Sequence, residues 1–130
     1  ILHYITFVYD VKDASIIRRL FMKDVLNLMP CKSCRENYMR HVKKYPIKLD
    51  SSINLSKWLV KIHNETNKTL KKKIVSYSDV SRKYCRKGVK DMVNRKFFEW
   101  AHIMRDYVTF GNTGIQRSYS SLMSFIVNSV

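Results

Sequence analysis

Apolar side chains recur at helical spacing along nearly the whole chain. Over residues 13–29, Ile17, Leu20, Phe21, Val25 and Leu28 fall on one side of a 3.6-residue repeat, which predicts a helix. Asp13 is expected to cap its start, and Pro30 to end or bend it. A second helix is expected over 31–44, with Cys34, Tyr38 and Val42 along one face and Pro46 beyond its end. The polar stretch PIKLDSSI (46–53) reads as a connection in which Asp50, Ser51 and Ser52 are candidate caps. The longest helical signal covers 53–72, with Leu55, Leu59, Ile62, Thr66 and Leu70 as the buried stripe and Trp58 beside it. Ser76 followed by Asp79 resembles a capping box with Asp in place of Glu. It predicts a short helix over 77–87 that stops at Gly88. Further on, Val93, Phe97, Trp100, Met104 and Val108 repeat at three and four. FGNTG (110–114) breaks the pattern, and Ile115, Tyr119, Leu122 and Ile126 start it again. The pattern predicts an all-α fold of short, mostly antiparallel helices.

Composition narrows this picture. A chain of 130 residues with 45% hydrophobic content is sized for one packed domain. Three glycines and two prolines are too few to punctuate many short strands. No apolar run reaches membrane-spanning length, and ILHYITFVYD has neither the basic start nor the small-residue cleavage site of a secretory signal. The first residue is Ile1 rather than Met, so preceding sequence is expected. The net charge of +15 suits nucleic acid, an anionic membrane surface or an anionic ligand, or else simply a solvated lysine-rich surface. Three cysteines are too few for a disulfide-stapled secreted scaffold.

Two of those cysteines form the CxxC of LMPCKSC (28–34). Cys31 is placed at a helix start, where free backbone N–H groups and the helix dipole favour a thiolate; Lys32 and Arg35 act in the same sense. Such a pair closes into a small ring and serves as a two-electron switch. The spacing also fits half a zinc site, completed by Cys85 and a histidine, or a pair of buried thiols. WLVKIHNETNKTLKK (58–72) holds the second constellation. His63 and Asn67 share a helix face at i and i+4, and Asn64 adjoins Asn67. Beside Trp58 they suit either a solvated face or a flat ligand with many hydrogen-bonding edges. Lys71 and Lys72 are placed to meet phosphate as point charges. His41 and His102 read as ordinary surface histidines.

Together the two constellations resemble the Erv/ALR family of FAD-dependent sulfhydryl oxidases. The family pattern is a CxxC, then a tryptophan several residues before HNxxN, then a leucine and a lysine. Here these are Cys31 and Cys34, Trp58, His63, Asn64 and Asn67, Leu70, and Lys72. LHYITFVYD is similar to the family's first helix, with His3 and Tyr9 at its histidine and aromatic places. IVSYSDVSRKY resembles its short fifth helix, where Lys83 and Tyr84 replace the usual Arg–Trp pair. The resemblance covers residues 1–88 and leaves 89–130 as a helical C-terminal extension of unassigned role.

The resemblance implies a four-helix bundle plus a short fifth helix, with FAD beside the CxxC and dithiol proteins as substrates. Substrate would attack at Cys31, and Cys34 would lie next to the flavin and pass it two electrons. Molecular oxygen would then be reduced to hydrogen peroxide. His3, Tyr9, Trp58, His63, Asn64, Asn67, Lys72 and Tyr84 would surround the cofactor, and no metal is implied. A homodimer is expected, as is a location in the cytoplasm of an infected cell or the virion, as for the short viral members; the mitochondrial intermembrane space is the alternative. The family's adenine-packing aromatic would precede Ile1, and the second, shuttle CxxC of many cellular members is not found here. Cys85 is expected to be a buried thiol, with an intermolecular link and a terminal relay as the other roles. A basic nucleic-acid-binding module and a zinc-stabilised interaction domain are the competing readings.

Overall fold

The computed structural model describes residues 1–129. Its elements are α1 (Leu2–Val8), α2 (Ala14–Arg19), α3 (Val25–Asn27), α4 (Lys32–Lys44), α5 (Ser52–Thr69), α6 (Tyr77–Tyr84), α7 (Val89–Thr109) and α8 (Thr113–Ser129). A π-helical turn, Leu20–Asp24, joins α2 to α3 without a break. No strand occurs among the described residues, as an all-α sequence pattern requires.

The helix expected over 13–29 is therefore one continuous rod with a wide turn in its middle. All five of its predicted core residues are buried. Its start differs from expectation. Asp13 makes no capping bond; Asp10 accepts from the Lys12 amide at 3.0 Å and starts a 3-10 turn, Val11–Asp13, that leads into α2. The caps of α5 and α6 are those the sequence marks. Ser51 Oγ accepts from the Asn54 amide at 3.1 Å, and Ser76 Oγ from the Asp79 amide at 3.0 Å. Leu70, expected in the buried stripe of α5, is exposed, because the helix ends at Thr69 and Leu70 belongs to the turn that follows.

Gly88 also departs from expectation. α6 stops at Tyr84, and Gly88, at φ 75°, is the N-cap of α7 rather than the end of α6. Only glycine enters that left-handed region without cost, so it marks the corner where the chain turns from α6 into α7.

The core lies where α1 and α5 pack together, with α4 along α5 and α6 across the end of α1. Phe21 meets Trp58 edge-on at 5.3 Å. Hydrogen bonds tie the layers. Tyr38 Oη donates to the Phe21 carbonyl at 2.9 Å, and Trp58 Nε1 donates to the Tyr45 carbonyl at 2.7 Å. α8 packs along the π turn and α3, and Val93, Phe97, Leu122 and Ile126 join the same apolar core as Phe21 and Leu28. The described part of the C-terminal segment, 89–129, thus shares its packing with the bundle. None of the described helices is long and apolar enough to cross a membrane.

Candidate functional site

Pro30 ends the α2–α3 rod, and the chain re-enters a helix at Cys31, the N-cap of α4. Cys31 and Cys34 form a disulfide with a Cα–Cα distance of 5.2 Å, and both residues are exposed. The Cys34 amide donates to Cys31 Sγ at 3.3 Å, and Ser33 Oγ lies 3.2 Å from the same sulfur. A sulfur that caps a helix and also meets a hydroxyl is held where negative charge is best received. Ser33 is a contributor that sequence reading passes over, because the two positions between CxxC cysteines carry no spacing signal of their own.

One turn after Cys34, Tyr38 turns inward on the same helix face. It lines a cavity of about 450 Å³ together with Met29, Leu59, Ile62, His3 and His63, among others. A second cleft of about 520 Å³, between α2 and α8, contains neither cysteine nor histidine. Neither Cys31 nor Cys34 lines either cavity; the one beside Tyr38 holds the histidines and lies one helical turn from Cys34.

Two histidines from different helices meet at this cavity. His3 Nε2 and His63 Nδ1 are 3.1 Å apart, and the rings stack at a centroid distance of 5.4 Å. Burial, reinforced by the neighbouring His63 charge, pushes the His3 pKa down to about 4. Burial, with Lys72 next, also lowers His63. Both shifts disfavour the charged form of the rings, and a single hydrogen bond joins the two nitrogens. His3 Nδ1 is buried with no hydrogen-bond partner among the described residues. Tyr84 approaches His3 at a ring distance of 5.7 Å, and burial raises its phenol pKa.

The remaining predicted residues divide by role. Asn64 Nδ2 donates to the Val75 carbonyl at 2.8 Å, and the Val75 amide donates back to Asn64 Oδ1 at 3.0 Å. Buried Asn67 donates to the Lys73 carbonyl at 3.2 Å. Both asparagines clamp the 70–76 segment to α5, and Lys72 rides on that segment, exposed, beside His63. Of the predicted cofactor residues only His3 and His63 line the cavity; Tyr9, Trp58, Asn64, Asn67, Lys72 and Tyr84 do not. Tyr9 is buried and donates to the Leu49 carbonyl at 2.8 Å, and Trp58 sits in the core against Phe21.

Cys85 is exposed rather than buried, since α6 ends one residue before it; Ser81 Oγ donates toward its sulfur at 3.9 Å. His102 is exposed, but His41 is half-buried, and desolvation lowers its pKa against the opposing pull of Glu65. Among the described residues no three His, Cys, Asp or Glu side chains are grouped to hold a metal ion.

Fold and site define a helical-bundle dithiol protein with a histidine-walled cavity one turn from its CxxC. The Erv1 / Alr family model matches residues 1–85, and the chain belongs to that family. It is 39% identical over 62 residues to the probable FAD-linked sulfhydryl oxidase R368 of Acanthamoeba polyphaga mimivirus, which covers 45% of this chain and 43% of that protein. It is 36% identical over 56 residues to an FAD-linked sulfhydryl oxidase of African swine fever virus, covering 43% and 47%. The FAD-linked sulfhydryl oxidase ERV1 of Oryza sativa subsp. japonica is 32% identical over 66 residues, covering 51% and 34%. The chain thus spans less than half the length of these curated relatives. No solved structure matches it significantly.

Proposed function

We propose that this chain is a FAD-linked thiol oxidase that makes disulfides in dithiol proteins. The carrying observation is an exposed CxxC disulfide at a helix N-terminus, one turn from a cavity walled by His3 and His63. The cavity suits a flavin ring. Its volume lies in the usual range for ligand pockets, roughly 300–1,000 Å³. Its lining is largely apolar, and the unpartnered Nδ1 of His3 provides one polar group for a ring edge. His3, His63 and Tyr84 would hold the ring, with Asn64 and Asn67 fixing the loop that presents Lys72 toward the phosphates. Tyr9 and Trp58 would support the site from the core.

A substrate thiolate attacks exposed Cys31 Sγ; the Cys31–Cys34 bond breaks, and its electron pair leaves on Cys34 as a thiolate. The substrate's second thiolate then attacks the substrate sulfur of the mixed disulfide. The substrate disulfide closes and Cys31 departs as a thiolate. The Cys34 amide and the Ser33 hydroxyl receive that charge and ease the departure of Cys31 in this second step. When bound, FAD would supply the two-electron acceptor for the reduced dithiol, with molecular oxygen as the final acceptor and hydrogen peroxide as the product. The acceptor, a homodimeric assembly and a place in the infected-cell cytoplasm or virion are parts of the same proposal, supported by the family and by the viral relatives.

The test is direct. Purified protein is expected to be yellow with flavin bands and to consume oxygen when given a dithiol. Cys34→Ser is expected to keep the flavin and lose turnover entirely. A chain that takes up no FAD, or a Cys34→Ser variant that still oxidises dithiols, overturns the assignment.

A further inference from the structure

The residues matched by the family model do not close the cavity beside His3 and His63. Two lining residues, Trp100 and Leu122, come from α7 and α8, beyond the matched 1–85 segment. Leu122 is buried in the shared core. Trp100 is half-buried and stacks with Phe97 at 5.7 Å and with Tyr119 at 5.9 Å. Phe97 is itself fully buried, so the aromatic row is rooted in the core. The indole is thus fixed by neighbours from both helices of the C-terminal segment. The surface it shows to the cavity is set before any ligand arrives, and little side-chain freedom remains to be lost on binding.

We propose that Trp100 is a cofactor-binding residue: the C-terminal segment supplies an aromatic wall against which the flavin ring packs, in the cavity that His63 and Ile62 of α5 also line. The proposal rests on the FAD reading above. It gives the segment a role in holding the cofactor that a merely core-filling tryptophan would not have. α7 is anchored for this purpose near the dithiol, since Tyr107 Oη donates to the Asn27 carbonyl at 3.1 Å, three residues before Pro30.

The test uses the full 130-residue chain. FAD is titrated into deflavinated wild type, Trp100→Ala and Trp100→Phe, and binding is followed by flavin absorbance and fluorescence. Trp100→Ala is expected to weaken FAD binding about tenfold, the upper end of an aromatic stacking contribution, and Trp100→Phe to restore most of it. A second measurement uses the native side chain, so it stands even if the alanine variant fails to fold. In fluorotryptophan-labelled protein, the Trp100 fluorine resonance, assigned by its loss in Trp100→Phe, is expected to shift when FAD is added. A wild type that binds FAD with that resonance unmoved, or a folded Trp100→Ala variant with wild-type affinity, overturns this inference and leaves the oxidase reading standing. A wild type that binds no FAD overturns both.

Discussion

His3 and His63 show what a single contact contributes at the residue scale. His3 is kept neutral by burial first and by His63 second, with its pKa at about 4 against an ordinary 6.5. The unfolded chain therefore binds a proton on His3 between those values while the folded chain does not. Stability contributed by the neutral pair is complete above pH 6.5 and drains away as pH falls toward 4. The expected loss across that window is on the order of 3 kcal/mol. Urea denaturation at a series of pH values checks it, with His3→Gln expected to flatten the slope; an unchanged slope in that variant would assign the acid sensitivity elsewhere. The sequence made His63 legible through its spacing from Asn67, and His3 only through likeness to a family. Their mutual contact was not legible, because sixty residues separate them and no local pattern encodes which helices meet.

Helices were the most legible part of the chain. The caps at Ser51 and Ser76 and the core stripes, Leu70 apart, read correctly, since each depends on side chains within a turn of one another. The π turn at Leu20–Asp24 and the end of α5 were not legible, since both are settled by what packs around them. α5 closes with a paired-bond C-terminal motif. The Lys72 amide donates to the Asn67 carbonyl at 2.8 Å and the Lys71 amide to the Lys68 carbonyl at 3.1 Å. This places Lys71 at φ 54°, where the motif ordinarily has glycine. A lysine there carries a steric cost that glycine does not, and the exposed side chain has no packing to lose. Lys71→Gly is therefore expected to stabilise the protein by about 0.5–1 kcal/mol, read as a higher urea midpoint at unchanged slope. Destabilisation would mean that the lysine side chain does more than its exposure suggests.

At the scale of the whole molecule, the boundary drawn near residue 88 follows the family likeness rather than the packing. Asp24, in the π turn of the family-matched part, is buried at 2% exposure. It accepts a 2.8 Å hydrogen bond from Ser118 Oγ on α8, and Asn27 Nδ2 donates to that same hydroxyl at 3.0 Å. Arg19 lies 3.9 Å from the other carboxylate oxygen, too far for a strong hydrogen bond. Ser118 is thus the main polar link between the two parts, and Ser118→Ala would leave a buried carboxylate short of a donor. Its expected cost is about 2–3 kcal/mol, as for a lost hydrogen bond to a charged group. The form of the unfolding curve is as informative as the midpoint. Because Val93, Phe97, Leu122 and Ile126 belong to the same core as Phe21 and Leu28, the variant is expected to unfold in one transition at a lower temperature, with near-UV and far-UV circular dichroism changing together. Two separated transitions would show that α7 and α8 melt away from an independently stable bundle.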